Sequence, residues 1–185
     1  SELVRNVLEH SESKRGAIVS AQYYKKSNTI RIGIVDTGVG IKKTINNAYP
    51  AKTHLEAIQL ALTPGITGTT RRIVGTEYNA GAGLFLIKSI AQINREFFMI
   101  YSGNAMYKLL KNKPDLKRIT LQGNPFQDRH SKGEDYPNWQ GTVVGVDISL
   151  DKTKEFTVLL DLIWDAYLKT IKERKKEKYR KPRFI

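Results

Sequence analysis

The sequence predicts an α+β chain, a two-layer sandwich in which one mixed, mostly antiparallel sheet carries its helices on one face. Three observations predict it. Two β-branched and aromatic runs, GAIVSAQYY and TIRIGIVD, follow each other across a Lys26-Ser27-Asn28 turn, as an antiparallel pair does. REFFMIYS and AMYKLL repeat that pattern around Gly103-Asn104. Helical periods fall in blocks between these hairpins, which excludes a chain of alternating βαβ units.

Taken in order, Leu3, Val4, Val7 and Leu8 have helical spacing, so the chain opens inside an amphipathic helix from Glu2 to about His10. The two strands follow. Thr53 and Glu56 form a Thr-x-x-Glu capping box ahead of LEAIQLAL, and Pro64-Gly65 stops that helix. From Thr63 to Ala82 the chain is rich in Gly and Thr, holds Arg71 and Arg72, and shows no apolar period, so a loop is expected. GLFLIKSIAQI restores a helix, the second hairpin comes next, and GTVVGVDISL reads as a buried strand. Asn112 to Gln140, with Pro114, Pro125 and Pro137, is a polar insertion without an assignable element. A last helix from about Lys154 places Phe156, Leu159, Leu160, Ile163, Tyr167 and Ile171 on one face.

The chain of 185 residues with 40% apolar content suits one domain over 1–150, followed by a C-terminal amphipathic helix and basic tail over 151–185. Absence of cysteine excludes disulfides and thiolate metal sites, and a reducing cytoplasmic setting is the expectation. His10, His54 and His130 lack metal-ligand spacing. No apolar run approaches the roughly 18 residues of a membrane span. Net charge is +13, and Lys169 to Arg183 holds nine Lys or Arg against two Glu. That cluster attracts nucleic acid, an acidic protein partner or an anionic surface, or it is a solvated helix end complementing the helix dipole.

Three segments carry chemistry. In ELVRNVLEHS, Glu2, Asn6 and His10 recur every four residues and share one helix face. An Asn oxygen suits a hydrated magnesium ion, and a Glu carboxylate suits polarising a water. In VDTGVGI an apolar strand delivers Asp36 to its end, followed by Gly38 and Gly40. A carboxylate there accepts from an exocyclic amine such as that of adenine, and glycines admit the ring; a plain strand-ending turn has the same signature. In NAGAGLFLIKSI, Gly81 and Gly83 precede a helix whose N–H groups suit a phosphate, or they serve only to enter the helix. Lys88, further along, reads as a surface or neighbouring-charge residue.

In this order the segments resemble the boxes of the GHKL superfamily, which holds histidine kinases, anti-sigma-factor serine kinases, topoisomerase ATPase subunits, Hsp90 chaperones and MutL proteins. ELVRNVLEH is similar to the Asn box, VDTGVGI to the first glycine box, GAGLFLIKSI to the second, and Gly141-Thr142 to the closing Gly-Thr strand. The resemblance runs from Glu2 to about Ser149. It implies a Bergerat fold that binds ATP with magnesium, under a mobile lid corresponding to roughly Lys42–Ala80. By the same resemblance Asn6 holds magnesium, Asp36 the adenine amine, Gly38 and Gly40 the adenine pocket, and Gly81 and Gly83 the phosphates, with Thr142 of the closing strand also binding the nucleotide. Glu2 matches the general base of hydrolytic members.

The chain also departs from that pattern. The second box reads Gly-Ala-Gly-Leu-Phe-Leu where many kinases have a further glycine, and the family's strand and helix ahead of the Asn box are absent, so a piece of a longer protein with an upstream domain is expected. His10 lies inside the Asn box, which leaves no phospho-accepting histidine on a dimerisation helix. Three functions follow: an ATP-dependent signalling or kinase module, an ATPase driving a conformational switch, or a nucleic-acid-binding module using the basic tail.

Overall fold

A computed structural model of the chain describes residues 11–66, 82–111, 120–150 and 156–178. The expected first helix, with Glu2 and Asn6, and Gly81 lie outside the described residues. Six strands form one sheet: β1 Ala17–Tyr24, β2 Thr29–Asp36, β3 Phe98–Gly103, β4 Ala105–Leu109, β5 His130–Gly133 and β6 Trp139–Ser149. Their order is β1-β2-β6-β3-β4-β5, and every pairing is antiparallel. The expected mixed sheet is therefore antiparallel throughout. Its hairpins are made by local turns, Asn28 in the left-handed conformation at φ 42° and Gly103 at φ 63°.

Alternation selects the buried face. Ile34, Val144, Val146, Phe98, Ile100, Tyr107 and Leu109 lie in register across four strands and form the centre of the core. Helices α1 Gly40–Asn46, α2 His54–Ala61 and α3 Gly83–Asn94 cover that face, bringing Ile41, Ile45, Ala57, Ile58 and Ala91. α4, Phe156–Lys178, lies outside this layer: Leu159, Ile163, Tyr167 and Ile171 meet Phe85 of α3 in a second apolar cluster. Among the described residues no helix is long and apolar enough to cross a membrane.

Two expectations need correction here. Lys42–Ile66, the described part of the expected lid, packs onto the core through the buried Ile45, Ala57, Ile58 and Leu62 in place of forming a mobile cover, and residues 67–80 lie outside the described residues. Lys88 is no surface residue. It is fully buried and ion-paired with Asp128, which also accepts from the Gln92 amide at 2.8 Å. Burial lowers the Lys88 pKa below the usual lysine range against the pull of Asp128.

The N-terminus of α2 shows how local chemistry fixes an element. The Thr53 hydroxyl accepts the Glu56 N–H at 3.1 Å, as the capping box requires, while the Glu56 carboxylate accepts from Lys52 N at 2.7 Å. Glu134, at the end of the β5 segment, accepts the Leu55 N–H at 2.9 Å. The insertion is thereby pinned to α2 at one point and to α3, through Asp128, at another.

Candidate functional site

Asp36 is the last residue of β2 and, by alternation with Ile32 and Ile34, points to the helix-covered face. A carboxylate there is only 4% exposed and must be held by donors. Its Oδ1 accepts the Gly38 N–H at 2.8 Å, and the Thr142 backbone N–H of β6 also donates to the carboxylate. Burial outweighs both donors, so the Asp36 carboxyl titrates above the usual carboxylate range.

The backbone closes tightly around this group. At Gly38 a Cβ would stand 1.9 Å from the Ser11 carbonyl oxygen, which accepts the Val39 N–H at 2.7 Å. Only glycine permits that approach. On the opposite side β6 departs from its register with β3 between Ser102 and Gly103, a bulge that carries Gly141 at φ 112°. A Cβ on Gly141 would meet the Asp36 carbonyl oxygen at 2.1 Å and its Oδ1 at 2.9 Å. The same irregularity lets the Trp139 indole N–H donate to the Asp36 carbonyl at 3.1 Å.

Ser102 ties the surrounding elements together. Its Oγ accepts the Ile41 N–H at 3.0 Å and donates to the Gly141 carbonyl at 2.7 Å, linking the start of α1 to β3 and β6. Gly40, which opens α1, sits over the same hydroxyl. The Gly38 N–H ahead of α1 and the Thr142 N–H at the bulged start of β6 thus hold the carboxylate from two sides, and Ser102 braces the backbone around them.

Of the residues singled out in the sequence, the fold gathers Asp36, Gly38, Gly40 and Thr142 at this one place. Gly83 is buried at the start of α3, which lies against β6 and β3. Glu2, Asn6 and Gly81 lie outside the described residues. Ser11, Ser102 and Trp139 were not singled out. Ser102 carried a readable signal, being a polar residue in register with Phe98 and Ile100 on the apolar face of β3. Ser11 and Trp139 act through contacts distant in sequence that no local pattern announces.

Chemically, the arrangement offers a fixed acceptor on a rigid strand end, with glycine backbone beside it. Such a group recognises a donor, for example an exocyclic amine, and its orientation is set before a ligand arrives. Among the described residues no cluster of three or more His, Cys, Asp or Glu could hold a metal ion. No model of a known protein family matches this chain, and no curated protein sequence matches it closely enough to indicate relationship.

Proposed function

We propose that this chain is a magnesium-ATP-binding domain of the histidine kinase-like ATPase (GHKL) type, with a Bergerat fold, acting as a signalling or kinase module. The observation that carries the reading is the Asp36 carboxylate, buried at a strand end, oriented by the Gly38 and Thr142 N–H groups and lined by backbone that would not accommodate a Cβ at Gly38 or Gly141. In this reading Asp36 accepts from the adenine amine, and Gly38, Gly40 and Thr142 shape the adenine pocket. Gly81 and Gly83 serve the phosphates, Asn6 the magnesium ion, and Glu2 the attacking water. Magnesium takes few protein ligands and completes its shell with phosphate oxygens and water, so a single Asn fits its chemistry.

Calorimetry with magnesium-ATP tests this. Asp36→Asn presents a donor to the adenine amine and should weaken binding by on the order of 30- to 1,000-fold. GTP, which carries a carbonyl where adenine has its amine, should bind poorly to the wild-type protein. Unchanged ATP affinity in the Asp36→Asn protein overturns the reading. Phosphate release measured in parallel on Glu2→Gln then separates hydrolysis from binding: turnover should fall by about 10²- to 10⁴-fold with affinity retained.

A further inference from the structure

The two edges of the sheet are built differently. β5 is four residues long, HSKG, and carries Lys132, which matches the way folded proteins blunt an edge with short length and charge. β1 is eight residues long, AIVSAQYY, with no charge, no proline and no glycine, in a chain that is 26% charged. Its pairing to β2 runs unbroken from Ala17 to Tyr24. Beyond that pairing the outer edge of β1 meets no other described strand, and seven of its eight residues are exposed. Ile18 is 76% exposed on one face of the strand, and Val19 at 51% and Tyr23 at 54% are exposed on the other. A long, uncharged edge with apolar groups on both faces is a template for one more strand.

Charge selects the occupant. Exposed Lys14 and Arg15 precede β1, and exposed Lys25 and Lys26 follow it. The nearby acid Glu12 faces Lys43 at 3.6 Å. With a rise of about 3.3 Å per residue, the two basic pairs stand roughly 30 Å apart at the ends of the edge. A second copy pairing antiparallel would bring Lys14 and Arg15 against the other copy's Lys25 and Lys26 at both ends. A parallel copy would set like against like. Both arrangements are repulsive.

We propose that the β1 edge is a docking site for an extended segment of a partner protein, uncharged over about eight residues and acidic at both ends. Backbone hydrogen bonds to β1 supply the pairing, Ile18, Val19, Tyr23 and Tyr24 supply apolar contact, and the flanking cations fix the register. The site is independent of the nucleotide reading: Ala17 meets Asp36 on the inner edge of β1, whereas the segment pairs on the outer edge.

The test uses two fluorescein-labelled peptides, Glu-Asp-Val-Thr-Val-Thr-Val-Thr-Val-Thr-Asp-Glu and the same peptide with Lys at the four acidic positions, titrated into the full chain and followed by anisotropy. At low salt the acidic-ended peptide should bind about tenfold or more tighter, with the preference shrinking as salt rises. In the variant Lys14→Glu, Arg15→Glu, Lys25→Glu, Lys26→Glu the preference should reverse, and bound peptide should slow amide exchange across residues 17–24. Equal affinity for the two peptides overturns the proposal, as does protection confined to another region. Displacement of the acidic peptide by a twelve-nucleotide oligo-dT at equal concentration would assign the flanking cations to nucleic acid. A dimer in sedimentation that the peptide dissociates would assign the edge to a second copy. Either result overturns it too.

Discussion

The Lys88 ammonium on α3 and the Asp128 carboxylate beside β5 form an ion pair from which solvent is wholly excluded. The pair fastens the insertion to the helix that opens with Gly83. Taking one partner away leaves an uncompensated charge in an apolar setting. Lys88→Met should therefore cost about 3–5 kcal/mol in urea-induced unfolding. Adding Asp128→Asn to that variant should return a large part of the loss, because the remaining amide is neutral. A single variant as stable as the wild type would show that the pair contributes nothing net.

The raised pKa of Asp36 gives stability and binding opposite pH slopes. Its carboxyl in the folded chain titrates above the ordinary 3.8, so protonation favours the folded state. Its contribution to stability is full below the unfolded value and is lost as pH rises through the folded pKa. On the proposed function, in which Asp36 accepts from the adenine amine, adenosine affinity should run the other way, falling as the pH drops into that window and the acceptor is protonated. Calorimetry and thermal unfolding from pH 3.8 upward read both slopes, and Asp36→Asn should flatten each.

Gly141→Ala should fail twice. Its φ of 112° strains any side chain, and the added methyl would meet backbone oxygen of Asp36, which has nowhere to go. A loss of about 2–4 kcal/mol is expected, together with loss of the proposed nucleotide binding. Gly145→Ala on the same strand is the control, since its Cβ would meet only a Phe97 ring carbon at 3.1 Å. It should cost under about 1 kcal/mol and leave binding intact.

Glu134 predicts an acid-sensitive helix start. The Leu55 N–H, then the Thr53 hydroxyl, hold its pKa below the usual carboxylate value. That contribution is present above the unfolded pKa of about 4.5 and disappears as pH falls through the folded one. Glu134→Gln should lose about 0.5–1 kcal/mol at neutral pH, and its stability should match the wild type more closely in acid. Parallel stability curves for the two proteins across that range would remove Glu134 from the cap.

Much of this fold is legible because its signals are local. The β1–β2 hairpin is announced by Asn28, the β3–β4 hairpin by Gly103, and α2 by the Thr53 cap. What escaped is held by distant partners. β5 has no apolar residue of its own and is a strand only because β4 pairs with it. α1 spans seven residues after a glycine turn, too short for Ile41 and Ile45 to establish a period. Lys88 reads as a surface cation until the chain returns with Asp128, which lies within an insertion that has no pattern of its own. At the site, Asp36 and its two following glycines were visible, whereas Ser11 reaches it through its backbone carbonyl and Trp139 through its indole N–H, both from elsewhere in the chain.

The place of β6 bears on how the protein is made. Among the described strands it comes last in chain order, and it stands between β2 and β3. On the ribosome, the β1–β2 hairpin and the β3-β4-β5 meander emerge first, each with an apolar inner edge still unpaired. At roughly 5–20 residues per second, the stretch from β3 to the end of β6 takes some seconds to appear. For that interval the nascent chain exposes two strand edges that in the finished protein are its centre. Chains ending before Trp139 should accordingly be captured by chaperones or aggregate, and the release of a chaperone-bound nascent chain should coincide with the emergence of Ser149.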